Sequence, residues 1–126
     1  MKLAASAFAA LLLVETAPAL AHHSFAMFDL NPAHVVTLTG TVKELEWINP
    51  HAWIHMVVLK QGMPEDWSFE MASVGVLTGR GWKKDIVKPG DAVTLTAHPL
   101  KDGSRGGSEI SVTLKDGTVL GDGTGR

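Results

Sequence analysis

Short runs in which apolar and polar residues alternate dominate the chain from Val35 onward, and they constrain its fold more than any other feature. Alternation with a period of two places one set of side chains on each face of a β-strand. Turn-forming residues separate five such runs, which cover residues 36–43, 52–58, 67–71, 93–98 and 110–114. The pattern predicts an all-β domain in which each strand buries one face.

The first run carries a glycine at its centre and then changes phase. Its apolar set resumes out of step at Leu45 and Trp47, so we predict a β-bulge or sharp bend between Gly40 and Glu44. Residues 72–81 lack the period of two and are typical of a short helix that a glycine ends. Five strands with one short helix between the third and the fourth predict a five-stranded OB-fold-like barrel.

The same alternation assigns the buried side of each strand. The turn between the second and third strands is predicted at Gln61–Pro64, and a hairpin turn is predicted at Asp116–Gly117. The side chains predicted to fill the barrel are Val36, Leu38, Val42, Ile54, Met56, Val93, Leu95, Ile110 and Val112.

The N-terminal segment has the pattern of a cleavable signal peptide. Lys2 precedes an apolar stretch over residues 3–14, Pro18 follows, and the small residues Ala19 and Ala21 direct cleavage after Ala21. The apolar stretch is too short to span a bilayer. We therefore expect a periplasmic protein with no membrane contact after cleavage. Its predicted parts are a signal peptide (1–21), an N-terminal arm (22–34), the barrel (35–120) and a disordered tail (121–126).

Composition excludes several function classes. The chain contains no cysteine, which rules out disulfides, thiolate metal sites and thiol catalysis. Its formal net charge is −2, and its basic residues form few clusters, so nucleic acid is not an expected partner. A single domain of roughly 100 residues can nevertheless bury enough surface to fold without cross-links.

Cleavage after Ala21 would leave His22 at the new N-terminus. An N-terminal histidine offers its α-amine and its ring nitrogen to one ion, a donor set that suits Cu(II). His23 and one further histidine, for which His51, His34 and His98 are the candidates, would complete a copper site. The competing interpretation is that exposed histidines after a cleavage site are incidental, because mature N-termini are usually frayed.

The spacing of His51 and His55 argues against one shared ion. On a regular strand the two residues lie about 13 Å apart, so only one can belong to a mononuclear site. His51 follows the Asn49–Pro50 turn, where a ligand at the barrel rim is expected. His55 is expected to pack or hydrogen-bond across strands.

Four tryptophans suggest a second kind of binding site. Trp47, Trp53 and Trp67, with His55, are candidates for a ligand-binding face that holds a small ligand or a periplasmic protein partner without metal. The same rings also commonly fill a core. No catalytic constellation stands out, because Glu44 and Glu46 alternate onto one outward face, so we expect a non-catalytic binding module.

Four segments resemble a known family. They are residues 22–29, 47–55, 67–70 and 80–82, and in combination they resemble an uncharacterised family of small exported proteobacterial proteins that is known only as a domain of unknown function. The resemblance covers nearly all of residues 22–120. Residues 71–73 replace a more glycine-rich link. The resemblance implies the barrel fold and export, and it implies no activity.

Overall fold

The computed structural model describes residues 25–121. The predicted signal peptide, His22 and His23 lie outside the described residues, as do residues 122–126 of the predicted tail. Two 3-10 turns, Phe25–Met27 and Pro32–His34, precede the strands. The regular elements are β1 (Val36–Glu46), β2 (Trp53–Lys60), β3 (Met63–Glu70), α1 (Val74–Gly79), β4 (Ala92–Pro99), β5 (Gly106–Thr113) and β6 (Val119–Gly121).

The first five strands close into a barrel. The first half of β1 pairs with β4, from Val36 to Thr41, and its second half pairs with β2, from Thr41 to Glu46. β2 pairs with β3, β4 pairs with β5, and a short parallel pairing of β3 with β5 completes the ring. The predicted five-stranded OB-fold-like barrel is therefore confirmed. The short strand β6, which the alternation did not predict, extends the sheet from β5 and carries the regular structure to Gly121.

The predicted irregularity in β1 is also confirmed. The register with β2 shifts between Val42 and Glu44, which leaves Lys43 as the extra residue of a bulge. Gly40 lies where β1 passes from β4 to β2, and a Cβ atom there would lie 2.5 Å from the Val57 carbonyl oxygen. The close approach of two backbones explains why this position carries glycine.

The barrel interior is filled from every strand, and helix α1 packs on it through Leu77. Ile54, Met56, Phe69, Leu95 and Val112 are fully buried members of one core cluster, which Leu77 of α1 and Trp82 join. The predicted short helix is present but begins at Val74 rather than at residue 72, because the Ser73 side chain accepts a hydrogen bond from the Val76 amide and caps it there.

One prediction about β5 is wrong. Ile110 is only half-buried, because the register between β4 and β5 shifts at Thr96/Ala97 and leaves Ile110 as the extra residue. Beyond that shift Glu109 stands opposite Ala97 and is 1% exposed, so a carboxyl group occupies the inward position. A bulge shifts the alternation by one residue, and the pattern of a single strand does not reveal it.

The turn between β2 and β3 is shorter than predicted. Only Gln61 and Gly62 form it, with φ angles of 51° and 78°, as a two-residue hairpin requires. Met63 and Pro64 belong to β3, opposite Lys60 and Leu59. Val36 and Leu38 are partly buried and pack against the core rather than lying within it.

Candidate functional site

Polar side chains concentrate on the outer surface of β1, β2 and β3. Cross-strand register aligns Glu46 with Trp53 and Trp53 with Glu70, and in the next row it aligns His55 with Ser68. These positions alternate with buried residues such as Ile54, so their side chains point away from the core. We call the surface formed by Glu46, Trp53, His55, Ser68 and Glu70 the polar face.

His55 lies at the centre of the polar face and is held on both sides. Its Nδ1 lies 2.7 Å from the Ser68 hydroxyl, and its Nε2 lies 3.7 Å from a carboxylate oxygen of Glu46. The side chain is 25% exposed. Both ring nitrogens therefore have polar neighbours, which fits the expected role of His55 as a cross-strand hydrogen-bonding residue.

Ser68, His55 and Glu46 form a chain of side-chain contacts with the residue types of a nucleophilic triad. In such a triad, backbone amides near the nucleophile stabilise the oxyanion. The Ser68 amide instead donates to the Arg105 carbonyl oxygen at 3.3 Å, within the region where β3 meets β5. The amide of Ser68 is thus committed to the sheet, while the side chains of Ser68 and Glu46 lie on either side of the His55 ring.

His51 borders the polar face just before β2 begins. Its Nδ1 lies 2.9 Å from the Met71 carbonyl oxygen and 3.4 Å from Oε1 of Glu70. A carbonyl oxygen can only accept, so Nδ1 carries the proton in this contact. In the neutral ring, Nε2 then carries the lone pair. His51 is 37% exposed, whereas the Glu70 side chain is only 8% exposed.

The segments around His51 explain its fixed position. The Ala52 amide donates to the Ala72 carbonyl oxygen, and the Met71 amide donates to the Ala52 carbonyl oxygen, at 3.1 and 2.9 Å. The Asn49 side chain accepts a hydrogen bond from the Val74 amide at 3.1 Å, which ties the preceding turn to α1. The His51 backbone is therefore held from both sides. The sequence did not reveal the His51–Glu70 pair, because an outward carboxylate on a strand is ordinarily solvated.

The four tryptophans differ in how far they are buried. Trp53 is half-buried on the polar face, whereas Trp47 and Trp67 pack against the core cluster and Trp82 is 1% exposed. Trp67 stacks on Phe69 with ring centroids 6.1 Å apart, and its Nε1 donates to Glu65 at 3.1 Å. Trp53 lies on the same outer strand face as His55, and Trp67 lines a cavity of about 250 Å³ together with His55 and Ser68.

The other candidate histidines, His34 and His98, lie on elements that do not include His51. His34 is exposed, and its Nδ1 lies 2.7 Å from Asp29. That hydrogen bond is the main cause that holds the pKa of Asp29 below its usual value of 3.8. His98 lies on β4 opposite Ser108, which in turn neighbours Glu70. Among residues 25–121 no group of three or more His, Cys, Asp or Glu side chains is arranged to hold a metal ion.

The N-terminal arm is anchored to the end of β4. Phe28 forms a bridge with Leu100 and is 4% exposed. The Asp29 amide donates to the Pro99 carbonyl oxygen at 2.8 Å, and the Lys101 amide donates to the Met27 carbonyl oxygen at 3.0 Å. The arm is thus fixed to the barrel at Phe28. Within the described part of the chain, no helix is long and apolar enough to cross a membrane.

Comparison with known proteins gives one finding. A family model described as a family of unknown function, DUF6152, matches residues 9–109. No curated protein and no solved structure gives a significant match. Because the family model covers most of the chain, this protein belongs to the DUF6152 family of unknown function.

Proposed function

We propose that this protein is a small periplasmic binding module, without catalytic activity, that holds copper through a mature N-terminal His22 and the imidazole of His51. His22 supplies its α-amine and ring nitrogen, with His23 as a further nitrogen donor beside it. Amine and imidazole nitrogens together favour Cu(II) among the first-row metals.

The observation that carries this proposal is the orientation of His51. Metal-binding histidines usually donate their second ring N–H to a carboxylate or a backbone carbonyl group, which fixes the tautomer and raises the basicity of the ligating nitrogen. Nδ1 of His51 faces both kinds of acceptor, the Met71 carbonyl oxygen at 2.9 Å and Glu70 at 3.4 Å. Nε2 is then the nitrogen suited to coordinate. His55 differs, since polar side chains lie beside both of its ring nitrogens, Ser68 at 2.7 Å from Nδ1 and Glu46 at 3.7 Å from Nε2.

The anchored arm makes the site geometrically feasible. The region around Glu70 and the arm are separated by three strand spacings, which lead from β3 to β5, from β5 to β4 and from β4 to Phe28. Three spacings correspond to about 15 Å across the sheet. The six residue-to-residue steps from His22 to Phe28 can span roughly 16–20 Å. The N-terminal chelate can therefore reach His51 while Phe28 stays bridged to Leu100.

The experiment uses protein exported with its own leader and purified from the periplasm. Intact-mass analysis first determines whether the chain starts at His22. Cu(II) affinity and electron paramagnetic resonance spectra are then compared for the wild type, a variant with one extra alanine before His22, His51→Ala and the matched control His55→Ala. The extension keeps every imidazole but separates the α-amine from the His22 ring.

We expect nitrogen-rich spectra for the wild type and for His55→Ala, and much weaker copper binding for the extension and for His51→Ala. Glu70→Gln should weaken copper binding roughly tenfold, as removal of a partner that orients a ligand usually does. Affinity should fall at lower pH, because the amine and the imidazole must lose protons to coordinate. Copper affinity unchanged by the extension would refute the N-terminal chelate.

A metal-free module is the second candidate, and the position of Trp53 favours it. Trp53 lies on the outer surface of β2 and β3, the surface that OB-fold proteins commonly use for ligands, with Glu46 and Glu70 beside it. A protein partner or small ligand could bind this surface without copper. Amide NMR shifts that a partner or small ligand causes around Trp53 would support this candidate over the first, provided that they are lost in Trp53→Ala and do not depend on copper.

A further inference from the structure

A second candidate site lies away from the polar face, between the end of β1 and the segment that links α1 to β4. An open cleft of about 580 Å³ occupies this position, whereas the other described cavities are near 250 Å³. Its volume falls in the range of small-molecule sites. The floor is apolar and consists of Leu45, Val87 and Pro89.

The walls of the cleft are held rigidly. The Gly90 amide donates to the Val42 carbonyl oxygen and the Val42 amide donates to the Asp91 carbonyl oxygen, both at 2.8 Å. The Asp91 side chain accepts a hydrogen bond from the Lys88 amide at 2.9 Å. Val87 is 4% exposed and belongs to the core cluster. The β1 bulge and this fixed loop therefore form the cleft without any ligand, which lowers the cost of ordering it on binding.

Charges of both signs surround the apolar floor. Glu44 and Asp85 are acidic and Lys84 and Lys88 are basic, and all four line the cleft. None of the four takes part in an ion pair among the described residues. A simple anion would meet the two carboxylates, and a simple cation would meet the two ammonium groups. A ligand that carries both charges and an apolar body matches the cleft best.

We propose that this cleft binds a short apolar peptide of two or three residues with free termini. The apolar side chains cover Leu45, Val87 and Pro89, the peptide ammonium group faces the acidic side chains, and the peptide carboxylate faces Lys84 and Lys88. The inference is independent of copper, because none of these residues belongs to the proposed metal site.

The test is a titration of the ¹⁵N-labelled mature protein, in the presence of a metal chelator, with trileucine whose termini are free. The same peptide with acetylated and amidated termini is titrated in parallel. Two variants probe the rim, Lys84→Gln/Lys88→Gln and Glu44→Gln/Asp85→Asn. The matched control is Lys60→Gln/Lys101→Gln, which removes two positive charges that do not line the cleft.

We expect saturable amide shifts at residues 44–45 and 84–89 with the free peptide. Each rim variant should weaken binding by up to about fivefold, the effect of losing one exposed ion pair, and the blocked peptide, which loses both charges, should bind more weakly still. The control should bind like the wild type. Shifts that do not saturate, shifts centred on Trp53 or equal affinity for the blocked peptide would each overturn the proposal.

Discussion

Replacing Gly40 by alanine should destabilise the barrel, although the same change usually stabilises a protein where space allows. The added methyl carbon would lie 2.5 Å from the Val57 carbonyl oxygen and 3.1 Å from Cε of Met56. Cβ atoms essentially never approach other atoms closer than 3.0 Å, so β1 and β2 must separate by about 0.5 Å or more. The nearest atom belongs to backbone, and no side-chain rotation relieves the contact.

The magnitude follows from two opposing effects. Overpacking that moves backbone costs about 1–3 kcal/mol. Alanine restricts the unfolded chain more than glycine does, and this effect raises the free energy of unfolding by about 0.4–1 kcal/mol. Because β1 pairs with β4 before Gly40 and with β2 after it, a shift on one side also disturbs the other. We expect a net loss of about 1–2 kcal/mol in the free energy of unfolding.

Urea unfolding followed by tryptophan fluorescence measures this loss, and buried Trp82 provides a reporter inside the fold. Gly75→Ala is the matched control, because no atom lies within 4 Å of an added Cβ at this helical position. It should stabilise the protein by up to about 1 kcal/mol. A Gly40→Ala variant as stable as the wild type, with an unchanged m-value, would refute the close approach as the reason for glycine.

Two further predictions concern the core and the arm. Leu95→Ala removes a fully buried side chain and should lower the free energy of unfolding by about 2–5 kcal/mol. Ile110→Ala should lower it by roughly 1 kcal/mol or less, since Ile110 is the extra residue of a bulge. Equal losses for the two variants in urea unfolding would contradict the register. The pKa of folded Asp29 lies below 3.8 because of its hydrogen bond with His34, so the contribution of Asp29 to stability is present at neutral pH and is lost as pH falls through that lowered pKa. NMR titration of the carboxyl carbon should show the pKa rising in His34→Ala, and an unchanged pKa would exclude the His34 contact as its cause.

Much of the barrel could be predicted because its signals are local. Alternation in β2 and β4 placed Ile54, Met56 and Leu95 inside, and each is fully buried. The phase change after Gly40 indicated the bulge that the register confirms. These predictions hold because, in a regular strand, the position of a residue alone decides which face of the sheet its side chain lies on.

The tertiary structure decided where that local pattern breaks and which polar groups meet. The bulge at Ile110 turned Glu109 inward, although its own strand gave no sign of the shift. The pairing of His51 with Glu70 depends on the neighbouring positions of β2 and β3, which the residues themselves do not encode locally. The sequence by itself determined the barrel and the candidate histidines. Only the closed sheet, by bringing distant residues into register, decided which histidine is oriented by a buried carboxylate.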